Sequence, residues 1–154
     1  MTCANEVIRR ARERLGLTAQ EAAARAGLSV HEYGDLEQHA DEVVSAVSLA
    51  TVRRVCKTLN IALTDLLAAE SLFTAAKTIA GVQPPTARPR HKLVQQQRVA
   101  KGATISDVAN AIGFEDAAVK QGESTDDYLE SLPIRVLIDW ARYIDLDAGA
   151  MLAL

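Results

Sequence analysis

Apolar residues recur along this chain at helical rather than strand spacing. Val7, Ile8, Ala11 and Leu15 share one helix face, and Gly16 stops that helix. Thr18, with Glu21 three residues later, has the capping-box pattern and opens a short alanine-rich helix that ends at Gly27. Ser29 and Glu32 repeat the pattern for a third helix. A polar loop is predicted over 38–45. Ser48 caps a fourth helix with Val52, Val55, Cys56 and Leu59 on one side, and Leu63, Leu66 and Leu67 begin a fifth. Further on, helices are predicted for 93–101, 106–112, 116–121 and 133–144, followed by a last turn ending at Leu154. Pro133 suits a helix start, where its missing N–H costs nothing. Cys56 and Trp140 fall on the apolar sides of matching helices and are read as core. No segment alternates at period two for long, so no sheet is expected.

The two sets of helices are one pattern used twice. A shift of 86 residues lays Arg12 on Arg98, Gly16 on Gly102, Thr18 on Thr104, Ala23 on Ala109, Gly27 on Gly113 and Glu37 on Glu123. A shift of 85 lays Leu59 on Ile144, Ile61 on Leu146 and Leu67 on Leu152. So long a period, present twice, indicates a duplicated domain rather than a solenoid. Between the copies runs Pro84-Pro85-Thr86-Ala87-Arg88-Pro89-Arg90-His91-Lys92, whose prolines forbid a helix and favour an extended connector. The predicted organisation is a first domain at 1–70, a helix plus proline-rich basic linker at 71–91, and a second domain at 92–154. Leu72, Phe73, Ala76 and Ile79 form an apolar helical stripe that would pack the copies together or make a homodimer seam.

Leu15-Gly16-Leu17-Thr18, followed by Glu21, Ala23, Ala26-Gly27-Leu28-Ser29, Leu36-Glu37 and Leu59-Asn60-Ile61, resembles the Cro/repressor (XRE-type) helix-turn-helix family. The resemblance covers 5–67, and 92–152 resemble a second, diverged copy. It implies an all-α fold: two tandem lambda-repressor-like five-helix domains, each with its third helix set to enter a DNA major groove. It also implies an ion pair between the first and third helices, Arg12 with Glu37 and Arg98 with Glu123. The expected partner is double-stranded DNA, and the expected role is transcription regulation. Candidate contacts are Ser29, Val30, His31, Glu32, Asp35 and Gln38 in the first copy and Asp116, Ala117, Lys120 and Gln121 in the second. Arg88, Arg90 and Lys92 of the linker would follow the phosphate backbone.

Charge complicates that expectation. The net charge is −3, but it is unevenly placed: residues 71–106 hold six bases and no acid, whereas 107–154 hold three bases and ten acids. Of the candidate base readers only Gln121 belongs to the side chains that pair best with purines, and several are carboxylates, which phosphates repel. Family members usually carry Gln after the capping Thr, where this chain has Ala19 and Ile105. The alternative is therefore a helix-turn-helix pair turned to a regulatory protein partner, as an antiactivator, antitoxin-like protein or adaptor.

Composition narrows the remaining classes. The 154 residues are 49% hydrophobic, ample for a folded core. Two cysteines make no disulfide scaffold, no apolar run of membrane-spanning length occurs, and the N-terminus has no secretory core, so a cytoplasmic protein without membrane contact is expected. His31 to Asp35 lacks the second histidine of a helical zinc site, and neither a phosphate loop nor a nucleophile elbow is present. No metal, cofactor or enzymatic activity is expected.

Overall fold

The computed structural model describes residues 3–70 and 89–154. Arg88, the prolines at 84 and 85, and the Leu72–Phe73–Ala76–Ile79 stripe lie outside the described residues. All regular structure among the described residues is helical, and contacts divide the chain into two units, Met1–Ala80 and Gly81–Leu154.

In the first unit α1 (Ala4–Arg14), α2 (Ala19–Ala26), α3 (Val30–Gln38), α4 (Glu42–Ser45), α5 (Leu49–Leu59) and α6 (Leu63–Ala69) enclose one core. α1 packs on α3, α5 and α6, and α2 packs on α3 and α5. Ile8, Ala22, Tyr33, Leu36, Leu49, Leu59, Leu66 and Leu67 are almost completely buried. The predicted 38–45 loop is instead partly the short helix α4, because Val43 and Val44 are buried and draw that stretch onto the core.

The second unit holds α7 (Arg90–Lys101), α8 (Ile105–Ile112), α9 (Asp116–Gly122), α10 (Asp126–Glu130), α11 (Ile134–Tyr143) and α12 (Ala148–Leu152). α8 packs on α9 and α11, and α7 on α10 and α12. Trp140, Leu137, Leu129 and Ile144 lie at its centre.

Local chemistry recurs in the two units. Thr18 and Glu21 cap α2 reciprocally, Ser29 and Glu32 cap α3, and Thr104 and Asp107 cap α8. Gly27 (φ 69°) and Gly113 (φ 73°) end α2 and α8 in the left-handed region, where a side chain would be strained. The next N–H, of Leu28 or Phe114, then bonds the carbonyl five residues back at 2.9 Å in each unit. Hydrogen bonds from the capping residues hold Glu21, Glu32 and Asp107 below their ordinary carboxyl range: the Thr18 and Thr104 backbone N–H contributes most for Glu21 and Asp107, the Ser29 side chain for Glu32. A carboxyl with a depressed folded pKa adds stability above its unfolded pKa and loses it as pH falls through the folded value. Acid titration should therefore lower the unfolding midpoint below the ordinary carboxylate range. Glu21→Gln should shrink that drop in the first unit's helical circular dichroism; an identical acid limb would refute the box's contribution.

Helix α7 starts inside the predicted linker. Its first N–H groups are capped from a distant element: Asp126 accepts from the backbone N–H of His91 at 2.7 Å and of Arg90 at 3.3 Å. The His91 ring sits on the same carboxylate at 2.7 Å. Burial alone would raise the Asp126 pKa, but these hydrogen bonds outweigh it and hold the carboxyl below its usual range. In the first unit Glu70 does the matching job, accepting from the Ala4 N–H at 2.7 Å.

Candidate nucleic-acid interface

The third helix of the first unit is positioned by an ion pair. Arg12 meets Glu37 with both carboxylate oxygens, Nε to Oε1 at 2.6 Å and Nη2 to Oε2 at 3.0 Å, and its Nη1 donates to the Leu17 carbonyl at 2.9 Å. The bond to Glu37 raises the Arg12 pKa. One guanidinium thus joins α1, the loop before α2 and the end of α3. In the second unit Arg98 grips Glu123 at 2.5 and 3.0 Å and donates to the Ala103 carbonyl at 2.9 Å.

With its inner face so held, α3 turns Ser29, Val30, His31, Glu32 and Gln38 outward, with Asp35 half-buried. Val30 is 50% exposed and the His31 side chain 92%. Ser29 to Glu32 make up the N-cap and leading turn of α3, and Gln38 its end. Glu32 is already engaged, its carboxylate accepting from the Ser29 N–H at 2.8 Å. Asp35 lies 3.9 Å from the His31 ring. Val30, His31 and Gln38 remain the readily extended groups of this face.

Residues 8–66 match the family model described as helix-turn-helix. That stretch is an XRE-type helix-turn-helix domain. Neither the curated proteins nor the solved structures contain a match to the chain.

In this helix-turn-helix domain α2 and α3 form the motif, with the turn at Gly27 and Leu28. The family match does not extend into the second unit, where α8 and α9 also pack on each other but carry different surface chemistry. Asp116, Ala117, Lys120 and Gln121 are all exposed on α9. Asp116 is held across the motif, accepting from the Ser106 hydroxyl of α8 at 2.7 Å. Periodicity could not expose Ser106, because the contact depends on the first turns of two helices lying side by side.

The linker cations divide. Lys92 is exposed, but Arg90 is a correction to the expected arm: it is only 9% exposed and points into the second unit. Its Nη2 reaches Glu130 at 2.7 Å and its Nη1 the Met151 carbonyl at 3.1 Å, so it satisfies the end of α12 rather than facing a phosphate. Arg9, Arg10, Arg14, Arg54 and Lys57 are exposed on the helix-turn-helix domain. Among the described residues no group of His, Cys, Asp and Glu is placed to hold a metal ion, and no helix is long and apolar enough to cross a membrane.

Proposed function

We propose that the chain is a DNA-binding transcriptional regulator in which α3 of the first unit enters the major groove, and in which residues 92–152 are a second, diverged helix-turn-helix copy. The observation that carries the first part is the helix-turn-helix match over a domain whose third helix exposes its leading turns. The second part rests on the shared Arg–Glu clamp, capping box and left-handed turn glycine at equivalent positions. Two such motifs in one chain would engage two half-sites without dimerisation, and two-fold related copies would place the half-site centres about 34 Å apart.

The test is fluorescence anisotropy of the full chain on labelled genomic fragments over a salt series. A retained fragment should release with a slope of about 0.9 per phosphate contact. Val30→Asp and His31→Asp each add a carboxylate to the leading turn and should weaken binding about tenfold or more without moving the unfolding midpoint. Arg88→Ala and Lys92→Ala should each reduce the salt slope by about 0.9 if the linker lies along the backbone. Arg90→Ala should instead lower the stability of the second unit.

A second reading has a specific observation behind it. The front of α9 carries Glu115 and Asp116, and the latter is fixed by Ser106, a poor surface for phosphate and a fair one for a basic protein. No retention of any fragment at low salt, together with stoichiometric recovery of a protein partner, would replace the regulator reading by this one.

A further inference from the structure

The first unit has a groove on α1 that the helix-turn-helix reading does not use. It has a volume of about 480 Å³ and lies between α1 and the α5–α6 turn. Val7, Ala11 and Ile61 give it an apolar floor, and Arg10 and Arg14 stand one helical turn apart along one rim. Asp65 and Asn60 form the opposite rim, with Asn60 in the left-handed region at φ 53°.

Helix geometry places this groove away from α3. Residues advance about 100° around a helix. Asn5 and Arg12 occupy the flank of α1 that bonds α3, through the Glu37 carbonyl and carboxylate. Arg10 and Arg14 fall well round the helix from that flank, on the side of Val7. DNA held by α3 would leave the groove uncovered.

The second unit shows that such a groove is not a by-product of the fold. The residues matching Arg10 and Arg14 are Gln96 and Ala100, and the residue matching Ala11 is Gln97. Gln97 donates across to the Asp145 carbonyl at 3.4 Å, and Lys101 forms an ion pair with the Asp145 carboxylate at 3.1 Å and bonds the Tyr143 carbonyl. Asp145 is the left-handed counterpart of Asn60, at φ 57°. Among the described residues the scaffold is therefore bridged in the second unit, and in the first it is unbridged, apolar-floored and cationic.

We propose that the α1 groove of the first unit docks an acidic segment of a partner protein. An aliphatic side chain of that segment rests on Val7, Ala11 and Ile61 while its carboxylates lie along Arg10 and Arg14. Arg10 is 66% exposed and its contact with Glu6 is long, at 3.9 Å, so it can turn to a new carboxylate at little cost. Guanidinium forks suit carboxylates bidentately, which favours a peptide of glutamates or aspartates over a purely apolar occupant. Asp65 on the far rim fixes the polarity, keeping the acidic side of the segment against α1. Such a surface would let a regulator contact a second protein while α3 is occupied.

The test uses the full chain and a labelled synthetic peptide of glutamates around a central leucine, beside its glutamine counterpart. Saturable binding of the glutamate peptide alone is expected at low salt. Arg10→Gln combined with Arg14→Ala imports the second unit's residues at exposed positions and should weaken it about tenfold, the combined worth of two exposed charge contacts. Arg10→Lys with Arg14→Lys keeps the charges but loses the forks and should bind between wild type and the Gln/Ala variant, and neither variant should move the unfolding midpoint. Absence of saturable binding, or equal binding by the Gln/Ala variant, overturns the proposal. So does displacement by a random DNA duplex with the same dependence on Arg10 and Arg14, which would make the groove a phosphate track. A self-association seen in sedimentation and abolished by the Gln/Ala variant would assign the groove to a second copy instead, and also overturns it. Loss of fragment binding through α3 would not mimic any of these results, because the peptide is read separately.

Discussion

Gly122→Ala is expected to lower the stability of the second unit by about 1–3 kcal/mol, the usual range for overpacking a filled core. In an exposed helix interior the same change stabilises, because alanine is the better helix former by about 1 kcal/mol. At Gly122 the sign is reversed by a neighbour. A Cβ there would lie 2.4 Å from Cη2 and 2.8 Å from Cζ3 of Trp140, and 3.3 Å from Cδ2 of Leu129. Trp140 is fully buried in a close-packed interior, which leaves the indole little room to swing aside. Trp140 is also the chain's single tryptophan, so its emission during urea unfolding reports this unit. Gly34→Ala on α3 is the control: its Cβ would have only the end of Gln38 within 4 Å, at 3.8 Å, and the first unit should become more stable. The contrast shows in the sequence offset between the two units. Gly122 and Trp140 occupy the places of Leu36 and Val55, all buried, so one unit uses glycine against tryptophan where the other uses leucine and valine. Gly122→Leu combined with Trp140→Val should recover much of the loss caused by Gly122→Leu alone, as followed by circular dichroism. No recovery would mean the two cores are not interchangeable at this layer.

Arg98→Ala should cost the second unit about 3–5 kcal/mol, because it strands a buried carboxylate. The Glu123 side chain is 4% exposed and its two oxygens are met by Arg98. The loss also frees the Ala103 carbonyl, so the α7–α8 loop slackens with the α9 contact. Arg12→Ala should act in the same direction on the first unit and less strongly, since the Glu37 side chain is 11% exposed and water can reach it more readily. The pair itself need not be a net source of stability. Arg98→Met with Glu123→Leu removes both charges and should lie much closer to wild type than either single change. An unchanged Trp140 unfolding midpoint in Arg98→Ala would refute a buried, geometry-setting pair.

What the sequence by itself determined is whatever depends on neighbours within a few residues. The helix faces, the capping boxes at Thr18 and Ser29, and the turn glycines follow from spacings of three or four residues and from the sterics of a positive φ. The recurrence of local signals at an offset of 86 residues was legible for the same reason, since each unit must carry its own to build its helices. The pairing of Arg12 with Glu37 needed the family resemblance as well, because 25 residues separate the partners. Only the tertiary structure decided where the charges point. Arg90 stands in a proline-rich basic stretch and reads as an arm, yet it is buried, with its terminal nitrogens held by Glu130 and the Met151 carbonyl, 40 and 61 residues away. The Ser106–Asp116 bond, the glycine under Trp140 and the bridging of one α1 groove but not the other are of the same kind. Each depends on two elements approaching to within a hydrogen bond or a van der Waals radius. A linear pattern records which side chains could meet; the packing of the helices sets which of them do.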